Sequence, residues 1–374
     1  MRLLILDQFS DPGGAQQALL ELLPGIRQRG WDAAVGMPGD GPLFEQIAAL
    51  GFETARIDCG PYRSGRKSPV DAMRFLSGTP RLARQVRLLA KRTQADLVYV
   101  NGPRLLPAVA GLRVPVVFHS HSYLNAGPAR WLAGEALRRT DASIIAACRF
   151  VAEPWSRFVP RERVKVIYNG VAGPQRAAER RRDGPRIGCI GRIAPEKGQR
   201  EFLRVASITY RALPECRFIV CGAPLFSDAR ARRYAAQVRA EAAGLPVEFT
   251  GWVADVHTAL AGLDLLLVPS TGAEATTRVI PEAYAAGVPV IAFPSGGIPE
   301  VVAGLPGMLA DSVEQMAALA VELLTGSAER LARMSEAARE QWRRRFTLER
   351  YRQEVLATIE CAARGASARE LTNA

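Results

Sequence analysis

The sequence contains little from which a metal site could be built. It has three histidines in 374 residues, and its six cysteines form no Cys-x-x-Cys pair. Zinc sites draw on clustered cysteine and histidine ligands, so we predict that the protein needs no metal and no other cofactor. Cys189, Cys216 and Cys221 lie in or beside apolar runs. They are predicted to be buried free thiols, which fits a reducing compartment.

Long hydrophobic runs are also missing. No stretch reaches the roughly 18 apolar residues that would indicate a membrane-spanning helix. The apolar run near the N-terminus, residues 3–6, is shorter than the apolar core of a signal peptide. The sequence therefore predicts a cytoplasmic protein with no span and no signal peptide.

Charge is ordinary in amount but uneven along the chain. The net charge is +12, and residues 1–172 hold 23 Lys and Arg against 14 Asp and Glu, whereas the remainder holds 26 against 23. A basic first half indicates an anionic partner such as acidic lipid, nucleic acid or a charged substrate. A merely solubilising surface is the alternative. Because no basic motif is interleaved with aromatic residues, a nucleic-acid partner is not expected.

The chain is long enough for two domains, because a single core stops growing at roughly 250–300 residues. Short apolar strands alternate with helical segments in both halves, which predicts parallel sheets covered by helices on both faces. The predicted strands are 3–6, 33–36, 96–100, 114–118, 143–147, 164–168, 186–190, 217–221, 247–250, 264–268 and 288–292. The predicted helices include 43–50, 198–212, 228–243, 281–286, 313–325 and a tail that breaks near Arg345.

A polar, basic, proline-flanked stretch at 171–185 separates the two halves and is predicted to be a linker. We therefore predict an N-terminal domain over 1–172, a second domain over 173–347, and a C-terminal helix over 348–374 that crosses back to the first domain. Both domains are expected to be doubly wound and Rossmann-like. They would face a central cleft, because open α/β sheets bind ligands at the carboxyl ends of their strands.

The segment 268–302 holds two glutamates eight residues apart. Pro281 suits the first position of a helix, which places Glu274 in the preceding loop and Glu282 in the first helical turn. Backbone N–H groups at that helix start would hold a phosphate, leaving both carboxylates to accept hydrogen bonds from sugar and ribose hydroxyls. The N–H groups concerned belong to Arg278, Val279 and Ile280. Without its context, the pair would be a first-turn glutamate and a loop charge.

A second segment, 188–199, ends a strand and continues into a basic loop. Its Arg192 offers a rigid guanidinium fork and its Lys197 a point charge. Such a pair suits a diphosphate whose negative charge grows as its bond to a sugar breaks. Taken alone, however, two basic residues are more often part of a solvated surface.

Two shorter segments follow strands of the first half. Gly13 and Gly14 would let backbone N–H groups approach a phosphate or a sugar, although a tight turn is the alternative. His119 and His121 alternate, so in an extended segment they point to the same side. One of them would accept a hydrogen bond from the sugar, or its backbone carbonyl would steady positive charge at the transferring carbon. The residues leave open which histidine this is, and the other would be a capping or packed side chain.

Together these segments resemble the signature of the family 4 (group 1) retaining glycosyltransferases, which have the GT-B fold. The matching residues are Pro269-Ser270, Glu274, Glu282-Ala283, Gly287, Pro289-Val290, Gly296-Gly297, Glu300, Gly191-Arg192, Glu196-Lys197-Gly198 and Gly13-Gly14-Ala15-Gln16. The resemblance implies transfer of a sugar from a UDP- or GDP-linked donor to an unidentified acceptor, with retention of configuration. The expected acceptor is a glycan, lipid-linked or part of the cell envelope.

The resemblance also implies roles for individual residues. Arg192 and Lys197 would bind the donor diphosphate and stabilise the leaving group. The loop carrying Trp252 and Val253 would lie beside the nucleobase. The implied catalytic residues are Glu274, His119, His121, Arg192 and Lys197, and the implied donor-binding residues are Gly13, Gly14, Arg192, Lys197, Gly222, Trp252, Val253, Glu274, Arg278, Val279, Ile280 and Glu282.

Two further features bear on the chemistry. The chain has no Asp-x-Asp sequence, which argues against a metal-dependent GT-A transferase and agrees with GT-B enzymes. Thr276 and Thr277 replace the Phe-Gly that family members often have, so the sugar is not predicted. Another GT-B enzyme, such as a nucleotide-sugar epimerase or a phosphorylase, and a non-catalytic nucleotide-sugar binder remain alternatives.

The basic residues of the first half concentrate in the region 63–92. A predicted helix over 80–92 would carry basic residues on one face and apolar residues on another. The basic residues are Arg81, Arg84, Arg87 and Lys91, the apolar ones Leu82, Val86 and Leu89, and Arg63, Arg66, Lys67 and Arg74 lie just before them. This pattern predicts peripheral docking on an acidic membrane surface, and a solvated helix face is the alternative.

Overall fold

A computed structural model describes residues 1–11, 13–39, 41–59, 69–140, 142–173, 184–224, 229–253, 255–305 and 309–372. Most of the predicted linker, together with Arg63, Arg66 and Lys67, lies outside these residues. The chain divides into two compact units, which comprise Met1–Asn169 with Glu349–Ala374, and Gly170–Leu348. Each unit is built around one parallel sheet.

The sheet of the first unit has seven strands among the described residues. They are β1 (Arg2–Asp7), β2 (Asp32–Met37), β3 (Glu53–Arg56), β4 (Leu97–Asn101), β5 (Val116–Ser120), β6 (Ser143–Ala146) and β7 (Val164–Val166). The spatial order is β3-β2-β1-β4-β5-β6-β7, and all neighbours are parallel. Chain order therefore reverses between β1 and β4, where ligands bind in doubly wound folds.

Helices cover both faces of this sheet, and β1 shows the consequence. Its residues Leu3, Leu4 and Leu6 are all buried, as expected for a strand with no solvent face. The helices of this stretch are α1 (Gly14–Gln28), α2 (Pro42–Ala49), α3 (Pro69–Arg92), α4 (Leu106–Val109), α5 (Pro128–Thr140) and α6 (Arg149–Ala152). Short 3₁₀ turns follow at Pro103–Leu105, Glu153–Trp155 and Arg161–Arg163.

The second unit repeats the plan on a smaller scale. Its strands are β8 (Arg186–Ile190), β9 (Arg217–Cys221), β10 (Val247–Gly251), β11 (Leu265–Val268) and β12 (Val290–Ala292). Their order is β10-β9-β8-β11-β12, with all neighbours parallel, so chain order reverses between β8 and β11. Its helices are α7 (Gln199–Ala212), α8 (Ala229–Glu241), α9 (Val256–Ala261), α10 (Val279–Ala286), α11 (Ile298–Val302), α12 (Val313–Thr325) and α13 (Ala328–Arg345).

A last helix, α14 (Leu348–Thr372), belongs to the first unit from Glu349 onward. The hydroxyl of Tyr351 donates to the carbonyl of Ala18 at 3.2 Å, and Arg352 Nε donates to the carbonyl of Glu21 at 2.6 Å. Both carbonyls lie in α1, and Tyr351 is completely buried. The C-terminal helix therefore packs on the first helix of the chain.

The eleven strands predicted from the sequence are all present, with ends within two residues of those predicted. The additional strand is β3, whose sequence Glu-Thr-Ala-Arg offers no apolar run. It lies at the edge of its sheet, and none of its residues is fully buried. An edge strand needs little apolar surface, so periodicity gave no signal for it.

Helix α3 departs from its prediction in two ways. It begins at Pro69 and includes Pro80 within its length, so it is longer than the predicted 80–92. Leu82, Val86 and Leu89, which were predicted to form an apolar face for a membrane, are buried in the core of the first unit. That part of the prediction is wrong, because the apolar stripe covers the sheet instead of facing solvent.

Candidate functional site

The predicted donor residues of the second unit converge at one edge of its sheet. The loop 191–198 leaves the carboxyl end of β8, and the loop 269–278 leaves the carboxyl end of β11. These two strands are the neighbours between which chain order reverses. In open parallel sheets this is the position at which ligands bind.

The two loops are in direct backbone contact. Gly198 has φ +72°, and a Cβ at this position would lie 1.8 Å from the carbonyl oxygen of Pro269. The N–H of Thr271 donates to the carbonyl of Glu196 at 3.1 Å. Only glycine permits both the left-handed conformation and this approach. The side chains of the first loop are thereby held against those of the second.

An ion pair also joins the two loops. Lys197 Nζ lies 2.8 Å from Glu274 Oε1, and the two side chains are 26% and 13% exposed. Arg192 pairs with Glu196 within the first loop. Each predicted phosphate-binding cation is therefore paired with a neighbouring carboxylate. The sequence analysis expected the carboxylate of Glu274 to be free to accept hydrogen bonds from hydroxyl groups, whereas the structure pairs it with Lys197.

The backbone of Glu274 is fixed by a third loop, which follows β12. Gly296 has φ +55°, and a Cβ there would lie 2.0 Å from the carbonyl oxygen of Glu274. The same carbonyl accepts a hydrogen bond from the N–H of Gly297 at 2.9 Å. The Gly-Gly of the motif thus holds the glutamate in place, and a side chain at Gly296 would displace it.

Helix α10 begins at Val279, two residues earlier than predicted. Pro281 is therefore its third residue and not its first, a position that is tolerated because N–H groups in the first turn have no partner within the helix. Glu282 still lies in the first turn, and its Oε1 is 3.5 Å from Arg278 Nε. The N–H of Ile280 donates to the carbonyl of Thr277 at 3.2 Å.

Gly222, Trp252 and Val253 lie at the same edge of the sheet, after β9 and β10. The N–H of Gly222 donates to the carbonyl of Gly251 at 2.8 Å, and a Cβ at Gly222 would lie 1.9 Å from the carbonyl oxygen of Gly191. The indole of Trp252 is 61% exposed. The strand ends of β8, β9 and β10 are thus linked, and a large flat side chain is left accessible beside them.

In the first unit, a buried chain of hydrogen bonds spans the carboxyl ends of β1, β4 and β5. Gln16 Nε2 donates to Asp7 Oδ1 at 2.9 Å, and Asn101 Nδ2 donates to Asp7 Oδ2 at 2.6 Å. Asn101 Oδ1 lies 2.8 Å from Nε2 of His121. Because the amide nitrogen of Asn101 faces Asp7, its oxygen faces the histidine, and Nε2 of His121 carries the proton.

Asp7 is completely buried at the switch point of this sheet. Burial raises the pKa of its carboxyl to about 6, although hydrogen bonds from Asn101, Phe9 and Gln16 oppose the shift. Sequence reasoning gave no role to Asp7 or Asn101. The available signal was that both are polar residues ending the two central strands, and the structure pairs them in register.

The two histidines, between which the sequence could not choose, have different environments in the structure. Their rings lie 3.8 Å apart on one side of β5 and the residues after it. His119 is completely buried, its Nδ1 bonds to the hydroxyl of Tyr99, and burial lowers its pKa well below the usual value. His121 is partly exposed. His119 is therefore a packed neutral histidine, and His121 is the one that solvent can reach.

The glycine loop lies close to this chain. Gly13 is extended and caps α1, whose first residue is Gly14, and both glycines are exposed. A Cβ at Gly13 would lie 3.0 Å from Oε1 of Gln16. Pro12, which precedes these glycines, lies outside the described residues. The start of α1 is thus open at the edge of the sheet where Asp7 and His121 lie.

Two other properties concern the described residues alone. Among them, no group of three or more His, Cys, Asp and Glu side chains could hold a metal ion. None of the helices in those parts of the chain is both long and apolar enough to cross a bilayer.

Two family models match this chain. The model described as "Glycosyltransferase Family 4" matches residues 12–172, and "Glycosyl transferases group 1" matches residues 184–326. The chain belongs to the group 1, family 4 glycosyltransferases. The predicted GT-B fold, with two doubly wound parallel sheets, is confirmed.

Curated relatives narrow the comparison. The chain is 30% identical over 158 residues to a GDP-mannose-dependent monoacylated alpha-(1-6)-phosphatidylinositol monomannoside mannosyltransferase of Corynebacterium glutamicum, a match covering 40% of each chain. It is 35% identical over 175 residues to the GDP-mannose-dependent alpha-(1-6)-phosphatidylinositol monomannoside mannosyltransferase of Mycobacterium tuberculosis, covering 42% of this chain and 44% of the relative. The chain thus matches about two fifths of the length of these relatives.

The fold extends much further than these sequence matches. The structure of Anabaena HepE in complex with UDP and glucose superposes with a TM-score of 0.78 at 24% identity. That superposition covers 96% of this chain and 99% of the other. A glycosyltransferase from Rickettsia africae superposes with a TM-score of 0.76 at 16% identity, over 96% of this chain and 98% of the other. At these identities the likeness concerns the fold.

Proposed function

We propose that this protein transfers a sugar from a UDP- or GDP-linked donor to an acceptor glycan, with retention of configuration. The observation that carries the proposal is the convergence of Arg192, Lys197, Glu274 and Glu282 at the switch point of the second sheet. The names of the relatives support a nucleotide diphosphate sugar, since they include GDP-mannose-dependent enzymes and a protein that binds UDP and glucose. We accordingly assign donor binding to the second unit.

The ion pairs suggest how the donor enters its site. A diphosphate carries more charge than one carboxylate, so it competes with Glu274 and Glu196 for the cations that these glutamates pair with. Lys197 then moves from Glu274 to phosphate, and the carboxylate of Glu274 becomes an acceptor for sugar hydroxyls. Glu282, in the first turn of α10, accepts from the ribose. The N–H groups of Arg278 and Val279 at the start of α10 are left to bind the diphosphate. The N–H of Ile280, which the sequence analysis had included, already donates to the carbonyl of Thr277.

The proposed chemistry needs no protein nucleophile. The bond between the anomeric carbon and the phosphate oxygen breaks, and its electron pair goes to the diphosphate, where Arg192 and Lys197 stabilise the growing charge. The acceptor hydroxyl attacks the same face, and its proton passes to the departing phosphate oxygen. Basic side chains and a helix N-terminus stabilise the leaving group in place of a metal ion.

The nucleobase is proposed to lie against Trp252 and Val253, which follow β10 and reach solvent, beside the buried Gly222 that follows β9. The first unit is proposed to hold the acceptor. Of its two histidines, we assign the catalytic contact to His121, because His119 is buried and already bonded to Tyr99. Gly13 and Gly14 are proposed to bind the donor through the backbone N–H groups at the exposed start of α1.

Nucleotide binding should be visible as thermal stabilisation. A ligand at about 100 times its Kd contributes roughly 2.7 kcal/mol, which corresponds to a rise in Tm of about 5 °C or more for a unit of this size. We expect UDP or GDP to produce such a rise in the wild type and a much smaller one in Glu282→Ala. The matched control is Glu215→Ala, which removes an exposed glutamate at the opposite edge of the same sheet.

If neither UDP, GDP nor their sugars changed the Tm of the wild type, the proposed donor site would be wrong. Equal shifts in Glu282→Ala and Glu215→Ala would remove Glu282 from it. With the donor identified, release of nucleotide that depends on added acceptor separates a transferase from an epimerase or a passive binder.

We further propose that the protein is cytoplasmic and docks on an acidic membrane surface through α3. The helix leaves several large apolar side chains in solvent, and Met73 is 65% exposed. The others near its start are Val70 and Leu76. The basic residues Arg74, Arg84, Arg87 and Lys91 are exposed along the same helix. The relatives are named for a phosphatidylinositol-linked acceptor, which supports a membrane-borne acceptor.

Reversing three charges on this helix should weaken vesicle binding strongly. Each basic residue near an acidic bilayer contributes about 1 kcal/mol, so Arg84→Glu, Arg87→Glu and Lys91→Glu together should reduce the partition coefficient at least about 100-fold. The measurement is co-sedimentation with vesicles containing phosphatidylserine. The control reverses Arg230, Arg232 and Arg233 on α8, which are also exposed. Equal binding by the two triple variants would rule out docking through α3.

A further inference from the structure

A small recess lies in the first unit, between the start of α5 and the segment after β6. Its volume is about 160 Å³, and its walls include Arg130, Trp131, Glu153, Pro154, Arg157 and Phe158. Helices that follow parallel strands begin at the carboxyl edge of the sheet. The recess therefore opens at the edge where the strand before His121 ends.

The side chains at the base of the recess are closely packed. Phe158 packs so closely on α5 that a Cβ at Gly134 would lie 2.4 Å from its ring. The rings of Trp155 and Phe118 of β5 make an edge-to-face contact with their centroids 5.2 Å apart. Nε1 of Trp155 donates to Ser120 Oγ at 2.9 Å. The segment that carries Glu153 and Arg157 is thus anchored to the end of β5.

The loop that begins at His121 reaches the same recess. The hydroxyl of Tyr123 donates to Glu153 Oε2 at 3.2 Å, and the ring of Tyr123 stacks on Phe150 at 4.4 Å. The carboxylate of Glu153 is thereby oriented on one wall. Tyr123, whose side chain contacts this wall, lies two positions after His121, the histidine assigned to catalysis.

The arginines of the recess differ from their neighbours. On α5, Arg138 and Arg139 both pair with Glu135, at 3.1 and 3.3 Å. Arg130 and Arg157 form no ion pair with any carboxylate in the described part of the chain. Unpaired guanidinium groups bind carboxylate or phosphate with two parallel hydrogen bonds. The recess therefore offers positive charge that no carboxylate of the described residues neutralises, and an anionic ligand could bind it.

Trp131 adds an apolar surface beside these charges. Its indole is 62% exposed although it is the largest apolar side chain of the recess. A flat aromatic face suits the apolar C–H face of a sugar ring, and the oriented carboxylate of Glu153 suits its hydroxyl groups. The volume is below the roughly 300–1,000 Å³ of complete ligand pockets, so it takes one residue of a larger molecule.

We propose that this recess is an acceptor subsite for a sugar residue that carries an anionic group, either a carboxylate or a phosphate. Trp131 stacks on the ring, Glu153 accepts from a hydroxyl, and Arg130 and Arg157 bind the anion. The proposal rests on the transfer function proposed above, because it assigns the acceptor side of that reaction. It restricts the acceptor to an acidic glycan.

The test uses the full chain labelled with 5-fluorotryptophan and observed by ¹⁹F NMR, with the Trp131 signal assigned by Trp131→Phe. The probes are glucuronic acid, glucose 6-phosphate, glucose and inorganic phosphate, without nucleotide. We expect at least one anionic sugar to shift the Trp131 signal with a Kd about tenfold or more below that of glucose. Arg130→Gln and Arg157→Gln should each raise that Kd towards the value for glucose. Whichever anionic sugar binds identifies the anion.

The matched control is Arg113→Gln, which removes an exposed arginine at the amino end of β5 and should leave the titration unchanged. Equal affinity for glucose and the anionic sugars, an equal response to inorganic phosphate alone, or no response to any probe would each overturn the proposal. Nucleotide binding is measured separately in the second unit. If UDP or GDP stabilised the protein normally while no probe shifted the Trp131 signal, the subsite would be rejected and the proposed transferase function would stand.

Discussion

Lys197→Ala is expected to lower kcat/KM for sugar transfer by about 10²–10³-fold, the usual cost of removing one preorganised group that stabilises transition-state charge. Lys197 is the cation that bridges the two loops of the switch point, and it lies 2.8 Å from Glu274. As the sugar leaves, negative charge grows on the diphosphate oxygen that Lys197 is proposed to contact. The loss should therefore fall on kcat and not only on KM. Initial rates over a range of donor concentrations measure both.

Two variants control this experiment. Lys165→Ala removes an exposed lysine of β7 and should leave both constants unchanged. Lys197→Ala also leaves the carboxylate of Glu274 partly buried without its cation, so the double variant Lys197→Ala with Glu274→Gln tests whether stranded charge accounts for the loss. A change of less than about threefold in Lys197→Ala, or full recovery in the double variant, would contradict the role assigned to the lysine.

Eleven of the twelve described strands could be predicted from the sequence. Buried parallel strands such as β1 and β11 are continuous apolar runs, so they can be recognised without a partner. Loops that follow such runs lie at the carboxyl edge of the sheet, so the loops carrying Arg192 and Glu274 could be expected at one edge. Their roles in donor binding came from the family resemblance and stay predictions.

Pairings across long stretches of chain could not be predicted. Asp7 and Asn101 are 94 residues apart and meet only because β1 pairs with β4. The apolar stripe of α3 is equally suited to a sheet and to a membrane, and only its packing against the core decides between them. His119 could be assigned to the interior only from its contact with Tyr99. The recess at Trp131 could be found only from the close packing of Phe158 on α5. Each of these features depends on a tertiary contact that no single segment of the sequence specifies.

The basic residues of the motif are paired with glutamates of the same motif. Arg192 pairs with Glu196, and Lys197 pairs with Glu274. Partly buried positive charges without a partner would be costly. The glutamates therefore stabilise and orient the basic side chains that are proposed to bind phosphate.

Gly198→Ala is expected to destabilise the second unit by about 2–5 kcal/mol and to abolish nucleotide binding. The left-handed backbone, at φ +72°, costs a residue with a side chain about 1–2 kcal/mol. The new Cβ would lie 1.8 Å from the carbonyl oxygen of Pro269, and overpacking of this kind costs a further 1–3 kcal/mol or so. Because a Cβ is fixed to the backbone of residue 198 and the oxygen it meets belongs to the backbone of Pro269, no side-chain rotation relieves the clash. The loops bearing Lys197 and Glu274 must therefore separate.

Gly244→Ala separates the two contributions. Gly244 has φ +83° in the same unit, but a Cβ there would meet no atom within 4 Å. It should therefore show the conformational cost of about 1–2 kcal/mol alone and keep full binding of UDP or GDP. Urea unfolding, followed with and without nucleotide, measures both properties for each variant. If the two alanines destabilised the protein equally, or if Gly198→Ala bound nucleotide normally, contact between the two loops would not be what organises the donor site.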